Sequence, residues 1–463
     1  MAGRAPARYN PHMTTGSPHD RSGPSTALLT DHYELSALDA VLASGIDDHR
    51  AVFELFGRGL PPGRRYGVVA GQARAMDAVA RFRFGDEELE FLEARGFLAS
   101  TTLAWLADYR FSGTIDGYRD GELYFPGSPM LTVEGPFAEA LILETVLLSV
   151  LNHDVAVASA GARMVDAAGG RTLIEGGARR THEEAAVAAA LAAAIVGVEV
   201  TSNLEAGRRH GLRTAGTTMH AFTLAFPDER AAFDAQAASF TGPTTYLVDT
   251  YDVEQGIRNA VAAGGTGIGA VRIDSGDLGR EAARARRLLD QLGATGCEIV
   301  VSGDLDEHRI AALAAAPIDR YLLGTRLVTG SGAPTGELVY KLVAIAAGGG
   351  PDAALAPVEK TSPGKESHGG RKVAARELDP SGHAVAERVW RLGEGDPDVA
   401  GGRTLRPLQV PLWRDGRPVP APDLEATRDH HRRAMDELWA VHRQLLAGPP
   451  AFDGTPTGAE SRA

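Results

Sequence analysis

The chain has 463 residues, enough for about two or three domains with sizeable cores. Its 47 basic and 60 acidic side chains give a net charge of −13, which argues against a general nucleic-acid or acidic-membrane binder, so we expect neither partner. The single cysteine, Cys297, excludes an internal disulfide and a CxxC zinc site and is typical of a cytoplasmic protein.

The N-terminal third indicates a tail followed by an α+β domain. Residues 1–25 are polar, contain several prolines and lack an apolar run, so we predict a disordered tail and not a signal peptide. The run 137–151 is too apolar on all sides to be an exposed helix, and we interpret it as the seam that ends a domain over 26–150. The other predicted elements of this domain are strands at 51–56, at 66–69 and within 112–133, and helices near 30 and at 85–98.

From residue 171 the chain alternates between short strands and mostly Ala-rich helical segments. Each strand is followed by Gly, Ser, Thr or acidic residues, as at the functional ends of parallel strands. This spacing predicts an irregular or incomplete α/β barrel over 151–350, although an open doubly wound sheet has the same period. The predicted strands are 171–175, 197–201, 213–217, 245–249, 270–274, 298–301 and 321–323.

The C-terminal segment is less regular. A Gly-rich linker at 348–352 and a Lys/Gly/Ser-rich loop at 359–371 precede the remaining predicted elements. These are strands at 372–375 and 384–392 and an amphipathic helix at 424–446, after which we predict a loose tail over 448–463.

The barrel segment carries a charged pair inside an apolar strand. Arg272 and Asp274 are two residues apart, so their side chains point to the same face of the strand. Buried charges are costly unless they are matched, so the pair is either a structural ion pair or part of a site for an anionic, hydroxyl-bearing ligand.

Two later strand ends favour phosphate binding. Ser-Gly-Asp at 302–304 and Gly-Thr-Arg at 324–326 place a glycine beside a hydroxyl residue, and such turns present backbone N–H groups to anions. Arg179 and Arg180 add two guanidiniums at an earlier strand end, suited to a diphosphate or a carboxylate, or else exposed at a helix start. The glycines at 264–269 precede a strand, so we reject them as a dinucleotide fingerprint. The histidine spacing does not predict a zinc site.

The motifs together resemble the nicotinate phosphoribosyltransferase family and cover roughly residues 28–375. The resemblance implies an enzyme that joins nicotinate to 5-phosphoribosyl 1-diphosphate, forming nicotinate mononucleotide and diphosphate in the first step of NAD salvage from nicotinate. It also implies ATP as a co-substrate, Mg²⁺ as a cofactor and an irregular α/β barrel beside an α+β domain completed by residues 355–447. The matching motifs are TDHYE (30–34), EGGARR (175–180), GTTMH (216–220), LVDTY (247–251), VRIDSGD (271–277), GTR (324–326) and VYKL (339–342).

The same resemblance assigns roles to single residues. His220 matches the family's phosphorylatable histidine, through which ATP hydrolysis is coupled. Thr217, Arg272 and Tyr33 match nicotinate contacts, with Tyr33 reaching the site from the second subunit of a homodimer. Thr325, beside Gly324, matches a contact to the phosphoribosyl donor. Ribose and phosphate contacts, and for Asp274 stabilisation of the developing cation, are expected at Asp274, Ser275, Gly303 and Asp304. The residues that hold Mg²⁺ are not identified.

Two positions depart from the family pattern. His32 stands where an apolar residue is usual, and Gly176 stands at a position that is often Phe, which would remove one stacking surface for the pyridine ring. A phosphoribosyltransferase for nicotinamide or quinolinate stays an alternative, although a quinolinate enzyme needs more cations and does not need the motif around His220. A non-catalytic ligand-binding barrel predicts several lost motifs, and Gly176 is the one loss.

Overall fold

A computed structural model describes residues 23–239, 242, 244–350, 352–360, 368–454 and 456. The predicted disordered tail lies outside the described residues as far as residue 22, and the loop predicted at 359–371 lies outside them at 361–367. The last residues of the predicted tail are packed, since Arg81 donates a 3.0 Å hydrogen bond to the Pro24 carbonyl and Ser25 donates one of 2.5 Å to the Arg83 carbonyl.

The N-terminal part contains the predicted strands and the predicted helices near 30 and at 85. It also contains α2 and α4, which the sequence pattern did not indicate. Its helices are α1 (His32–Ser44), α2 (Gln72–Arg81), α3 (Asp86–Arg95), α4 (Ser100–Asp108), α5 (Phe137–Leu141) and α6 (Glu144–Ala168). Its strands are β1 (His49–Gly57), β2 (Gly67–Val68), β3 (Thr114–Tyr118), β4 (Leu123–Tyr124) and β5 (Leu131–Pro136).

All seven predicted barrel strands are present, and they form one parallel sheet. They are β6 (Thr172–Glu175), β7 (Val200–Thr201), β8 (Arg213–Thr214), β9 (Thr245–Leu247), β10 (Ala270–Ile273), β11 (Glu298–Val301) and β12 (Arg320–Leu323). The helices between and after them are α7 (Glu183–Ile195), α8 (Leu204–His210), α9 (His220–Leu224), α10 (Glu229–Ser239), α11 (Val253–Gly264), α12 (Leu278–Gln291), α13 (Glu307–Ala312) and α14 (Thr325–Val328), and a 3-10 turn follows at Gly330–Gly332.

The strand order decides between a barrel and a doubly wound sheet. The order is β8-β7-β6-β12-β11-β10-β9, so the first strand of the series pairs with the last, as in a closing barrel. Within the described residues no ladder joins β8 to β9, and the barrel is open there. The predicted incomplete α/β barrel is therefore confirmed.

The C-terminal strands complete the first domain. β13 pairs antiparallel with β1 and β18 with β3, giving the antiparallel sheet β14-β13-β1-β5-β3-β18-β19. The predicted α+β domain built from both chain ends is confirmed, but β13 belongs to this sheet although it was assigned to the barrel segment. The elements are β13 (Leu338–Gly349), β14 (Leu355–Pro357), β15 (Lys372–Leu378), β16 (Ala384–Arg391), β17 (Thr404–Pro407), β18 (Gln409–Arg414), β19 (Arg417–Pro418), α15 (Leu424–Glu437) and α16 (Ala440–Arg443).

The last helix differs from its prediction. It ends at Glu437 because Leu438 is extended, with ψ of 130°, and is buried. The described residues beyond Gly448 are also less loose than expected. The Phe452 ring packs edge-on against Phe125 at 5.0 Å, and the Ala451 N–H donates to the Arg65 carbonyl at 2.7 Å.

The seam helix is longer than predicted and joins both cores. The prediction ended with the apolar run at 151, yet α6 continues to Ala168, and its buried carboxylate is matched: Arg74 donates to both oxygens of Asp154 at 2.9 Å. Val146 packs in the α+β core and Met164 in the barrel core. By length and composition Phe137–Ala168 is long and apolar enough to cross a membrane, but 56% of its most apolar window is buried inside the protein, as in a core helix.

Candidate active site

An arginine–carboxylate cluster lies at the carboxyl ends of β10 and β11. Arg272 donates from Nη2 to Asp274 Oδ1 and from Nε to Ser302 Oγ, both at 3.0 Å, and Ser302 Oγ in turn donates to Asp274 Oδ1. Burial opposes ionisation of Asp274, but the hydrogen bonds from Ser302 and Arg272 outweigh it and lower the pKa of this carboxyl. The cluster is an ion pair, as one interpretation predicted, yet Asp274 keeps 34% of its side-chain surface exposed at the barrel mouth.

Asp249, which follows β9, extends this cluster and was not among the predicted site residues. Its Oδ2 accepts hydrogen bonds from the Asp274 N–H at 3.0 Å and from Ser275 Oγ at 2.7 Å. Its Oδ1 is buried, lacks a hydrogen-bond partner among the described residues, and lies 3.9 Å from His220 Nε2. One signal in the sequence was shared with Asp274, since each is the acidic last residue of a predicted barrel strand (245–249 and 270–274).

His220 is the first residue of α9 and lies on the connection between the unpaired strands β8 and β9. Its Nδ1 is 3.2 Å from Thr250 Oγ1, so the ring is held between Thr250 and Asp249. The side chain is 43% exposed. Thr217, also exposed, lies on the same connection and donates to the Thr218 carbonyl at 3.1 Å.

The turn at 302–304 lies against the cluster and requires its glycine. Gly303 has φ of 122°, and a Cβ there would lie 2.9 Å from the Asp274 carbonyl oxygen. Arg309 donates to the carbonyls of Gly303 and Asp304 at 3.1 Å each. Asp304 Oδ1 is 3.6 Å from Arg326 Nε, so the two predicted phosphate turns are neighbours.

The turn at 176–177 lies beside Gly324, at the end of β12. The Gly176 N–H donates to the Leu323 carbonyl at 2.7 Å, and a Cβ on Gly177 would lie 3.2 Å from the Gly324 carbonyl oxygen. Thr325, Arg179 and Arg180 are exposed near these turns, and the guanidinium groups of the two arginines have no ion pair or hydrogen bond with any described residue. The geometry therefore brings three strand ends and several free donors to one side of the barrel.

Glu175 supports this side from within and was also missed. Its Oε1 accepts from the Gly177 N–H and its Oε2 from Thr201 Oγ1 at 2.5 Å, which ties β6 to β7. Burial raises the pKa of Glu175 above its ordinary value. Both oxygens of the Glu175 carboxylate already accept hydrogen bonds, so we interpret this residue as a support for the turn and not as a ligand contact.

Tyr33 is not part of this assembly within one chain. It lies on α1 with its side chain 56% exposed, and its neighbours are residues at the start of α6. Partial burial, followed by the negative charge of Glu144, raises the pKa of its phenol. None of the described interactions of Tyr33 reaches the barrel strand ends.

An open barrel beside an α+β domain built from both chain ends is also the fold of two solved structures. The crystal structure of human nicotinic acid phosphoribosyltransferase matches with a TM-score of 0.78 and 25% identity, covering 92% of this chain and 97% of that one. The crystal structure of a nicotinate-nucleotide pyrophosphorylase from Pyrococcus furiosus matches with a TM-score of 0.71, 22% identity and coverage of 89% and 95%, which shows the same fold.

Sequence comparisons define the family. The model of the nicotinate phosphoribosyltransferase (NAPRTase) N-terminal domain matches residues 28–152. Nicotinate phosphoribosyltransferase pncB1 of Mycobacterium tuberculosis is 51% identical over 433 residues, covering 92% of this chain and 94% of that protein. The Bacillus subtilis nicotinate phosphoribosyltransferase is 36% identical over 370 residues, with coverage of 78% and 74%. This chain therefore belongs to the nicotinate phosphoribosyltransferase family of enzymes. The resemblance seen in the motifs is confirmed, while the roles of single residues stay predictions.

Proposed function

We propose that this protein is an ATP-coupled nicotinate phosphoribosyltransferase. It transfers the phosphoribosyl group of 5-phosphoribosyl 1-diphosphate to the ring nitrogen of nicotinate, releasing diphosphate, and so begins NAD salvage from nicotinate. The observation that carries the proposal is the cluster of Arg272, Asp274 and Ser302 at the barrel mouth, in a chain 51% identical to a relative of that name.

Arg272 is the proposed ligand of the nicotinate carboxylate. Ser302 and Asp274 hold its Nε and Nη2, and among the described residues Nη1 has no partner, so one edge of a fixed guanidinium is open. A carboxylate bound there forms charge-assisted hydrogen bonds, which are stronger than neutral ones and orient the ring. The ring nitrogen then points away from Arg272 and towards the sugar.

The proposed reaction needs no protein nucleophile. The bond from the anomeric carbon to the diphosphate oxygen breaks as the nitrogen–carbon bond forms, and positive charge develops on the ribose. The ionised Asp274 stabilises this charge. The turns at 302–304 and 324–326, with Arg179 and Arg180, bind the phosphates of the donor.

The side chains at this site suit Mg²⁺ only as part of its set of ligands. The described residues contain no cluster of three or more His, Cys, Asp or Glu side chains that holds a metal alone. Mg²⁺ commonly binds through one or two carboxylates together with substrate phosphates and water, and the exposed Asp304 in the turn at 302–304 suits such a contact. When bound, the ion neutralises the leaving diphosphate.

His220 is the proposed phosphoryl acceptor from ATP. Its exposed ring is reachable by a nucleotide, and Thr250 beside Nδ1 and Asp249 beside Nε2 fix its orientation. A phosphoryl group adds about −1.5 to −2 charges beside the donor site, and such a change reorders nearby loops. The energy of ATP is thereby converted into tighter substrate binding and then product release.

We further propose a homodimer with shared active sites. Exposed apolar side chains lie in two separate places: Leu29 and Tyr33 on the N-terminal segment, and Met219, Leu224 and Tyr251 around His220, each between 56% and 65% exposed. Clusters of exposed large apolar residues mark interaction sites. In a two-fold symmetric dimer, each N-terminal segment covers the partner's barrel mouth, and both contacts form at once.

The test is incubation of the purified protein with Mg²⁺, 5-phosphoribosyl 1-diphosphate, ATP and each pyridine in turn. We expect nicotinate mononucleotide, with ADP released in step with it. A faster reaction with nicotinamide or quinolinate would favour the corresponding alternative enzyme, and the absence of any nucleotide product would favour a non-catalytic barrel.

A further inference from the structure

A cavity of about 990 Å³ lies on the far side of the barrel helices from the strand ends. It is enclosed by the barrel helices α7 and α8, by α2 and α15, and by the hairpin of β18 and β19. Sites for small molecules have volumes of roughly 300–1,000 Å³. None of the predicted nicotinate, phosphate or ATP contacts lines this cavity, so it is separate from the proposed active site.

One wall of the cavity is apolar and rigid. Leu191 and Ile195 come from α7, and the hairpin contributes Pro411, Pro418 and Pro420. Proline fixes its own φ, and the hairpin is closed by a hydrogen bond of 2.8 Å from the N–H of residue 419 to the carbonyl of residue 412. The wall is therefore formed before any ligand arrives.

Two arginine side chains face the same cavity without a partner. Arg119 and Arg433 are exposed, and neither guanidinium forms an ion pair or hydrogen bond with any described residue. The backbone that carries each arginine is fixed. His431 Nδ1 lies 2.9 Å from the Gly121 carbonyl, which fixes the turn of Arg119 to α15. Arg433 shares one face of α15 with His430, three residues earlier.

The carboxylates of the cavity do not neutralise these arginines. Asp77 is paired with Arg81 at 2.8 Å, on the same helix. Asp120 accepts hydrogen bonds from the N–H groups of Gln72 and Ala73, at 2.9 and 3.4 Å, where α2 begins. Arg81 therefore neutralises Asp77, and two backbone N–H groups hold Asp120, so the cavity combines an apolar wall with two guanidiniums against one remaining carboxylate.

We infer that this cavity is a second ligand site, which binds a small molecule with a flat or chain-like apolar body and one acidic group. The apolar body lies against the proline wall, and the acidic group lies between Arg119 and Arg433. The site contacts the catalytic part of the barrel through α8, whose last residue, His210, lines the cavity and leads through β8 to His220.

The test uses 8-anilinonaphthalene-1-sulfonate, an aromatic monoanion, and its uncharged analogue N-phenyl-1-naphthylamine, with the full-length protein. Fluorescence titration should give one saturable anilinonaphthalene sulfonate site per chain. The double variant R119Q/R433Q should weaken it by about tenfold, because two partly exposed charge pairs are lost. Binding of the uncharged analogue should be unchanged. The matched control is R432Q, since the neighbouring Arg432 is paired with Asp429 and does not line the cavity.

Two further variants locate the site. Ala426→Trp places an indole in the cavity and should weaken binding of both probes while the thermal unfolding midpoint stays near that of the wild type. R272A lies in the proposed active site and should bind the anionic probe as the wild type does. The inference is overturned if R119Q/R433Q binds the anion as tightly as R432Q does, or if R272A removes binding. It is also overturned if the cavity variants change the oligomeric state, because the cavity is then a subunit contact.

Discussion

Asp249 offers the sharpest test of how the strand ends position His220. Asp249→Asn keeps the size of the side chain and an oxygen that accepts from the Asp274 N–H and from Ser275 Oγ. It removes only the negative charge beside His220 Nε2, at 3.9 Å. A carboxylate there favours the proton on Nε2, which leaves the free lone pair on Nδ1. It also stabilises the positive charge that the ring acquires when Nδ1 attacks phosphorus in the proposed reaction.

The size of the effect follows from the distance and the exposure. Unit charges about 4 Å apart interact by about 4 kcal/mol at an effective dielectric constant of 20 and by about 1 kcal/mol in water. The His220 side chain is 43% exposed, so the interaction lies between these limits. We take about 2 kcal/mol, which corresponds to a roughly 30-fold slower phosphorylation of His220.

The measurement is rapid-quench formation of acid-labile phosphoenzyme from radiolabelled ATP, with thermal unfolding recorded in parallel. Asp252→Asn is the matched control, because Asp252 lies on the same loop, is exposed and caps α11 through the Gln255 N–H at 2.8 Å. We expect Asp252→Asn to phosphorylate at the wild-type rate. If Asp249→Asn does so as well, Asp249 does not act on His220, and its role is limited to supporting the loop of Asp274.

Four further predictions follow from the same geometry. His220→Ala should abolish substrate-stimulated ATP hydrolysis but leave slow ATP-independent synthesis; hydrolysis that still keeps step with product would remove His220 from the mechanism. Arg272→Ala should lower kcat/KM for nicotinate by a cost on the order of 2–5 kcal/mol and reduce discrimination against nicotinamide; unchanged selectivity would mean that another guanidinium reads the carboxylate. Tyr33→Ala and His220→Ala should each be nearly inactive, yet co-refolding should restore up to about a quarter of wild-type activity, because half of the dimers then contain one intact site; verified heterodimers without activity would refute the shared site. Burial raises the pKa of the Asp120 carboxyl from 3.8 to about 6. Between these two pH values the folded state binds more protons than the unfolded state, so the free energy of unfolding falls as the pH rises. Asp120→Asn still offers an oxygen to the N–H groups where α2 begins. It should remove a loss of about 2 kcal/mol in the free energy of unfolding between pH 4.5 and 7, measured by urea unfolding, and an unchanged pH profile would contradict the assigned shift.

The fold was predictable where local pattern determines it. Each barrel strand is a short run followed by or ending at Gly, Ser, Thr or an acidic residue, and all seven were predicted. The extent of α6 was not, because Asp154 is a poor helix residue until Arg74, far away in sequence, neutralises it. The place of β13 in the antiparallel sheet was hidden for a similar reason. Its pairing with β1 joins residues nearly three hundred positions apart, and only the folded chain shows that register.

The site was predictable where charge stands in an unexpected place. Arg272 and Asp274 were conspicuous as a charged pair inside an apolar strand, whereas Asp249 ends its predicted strand without a basic residue beside it. Its importance arises from an unpartnered oxygen facing His220, which no spacing in the sequence encodes. Gly176 gains a physical explanation as well. A Cβ at that position would lie 2.6 Å from Leu322 Cδ2, so Leu322 occupies the space into which a larger side chain would start.

The break in the barrel explains why His220 is accessible at all. In a closed barrel β8 and β9 would pair, and the connection that carries His220 would be packed over the ladder between them. Within the described residues β8 and β9 do not pair with each other, and both residues of β8 are exposed. In the proposed mechanism the opening gives ATP a route to the ring, but it also leaves Met219, Leu224 and Tyr251 exposed to water within the single chain. The proposed transfer of the phosphoribosyl group to nicotinate requires the opposite condition, a mouth from which water is excluded once the substrates have bound. A second chain that covers this apolar rim resolves the conflict, because the cover is removable and the histidine is not buried by its own fold.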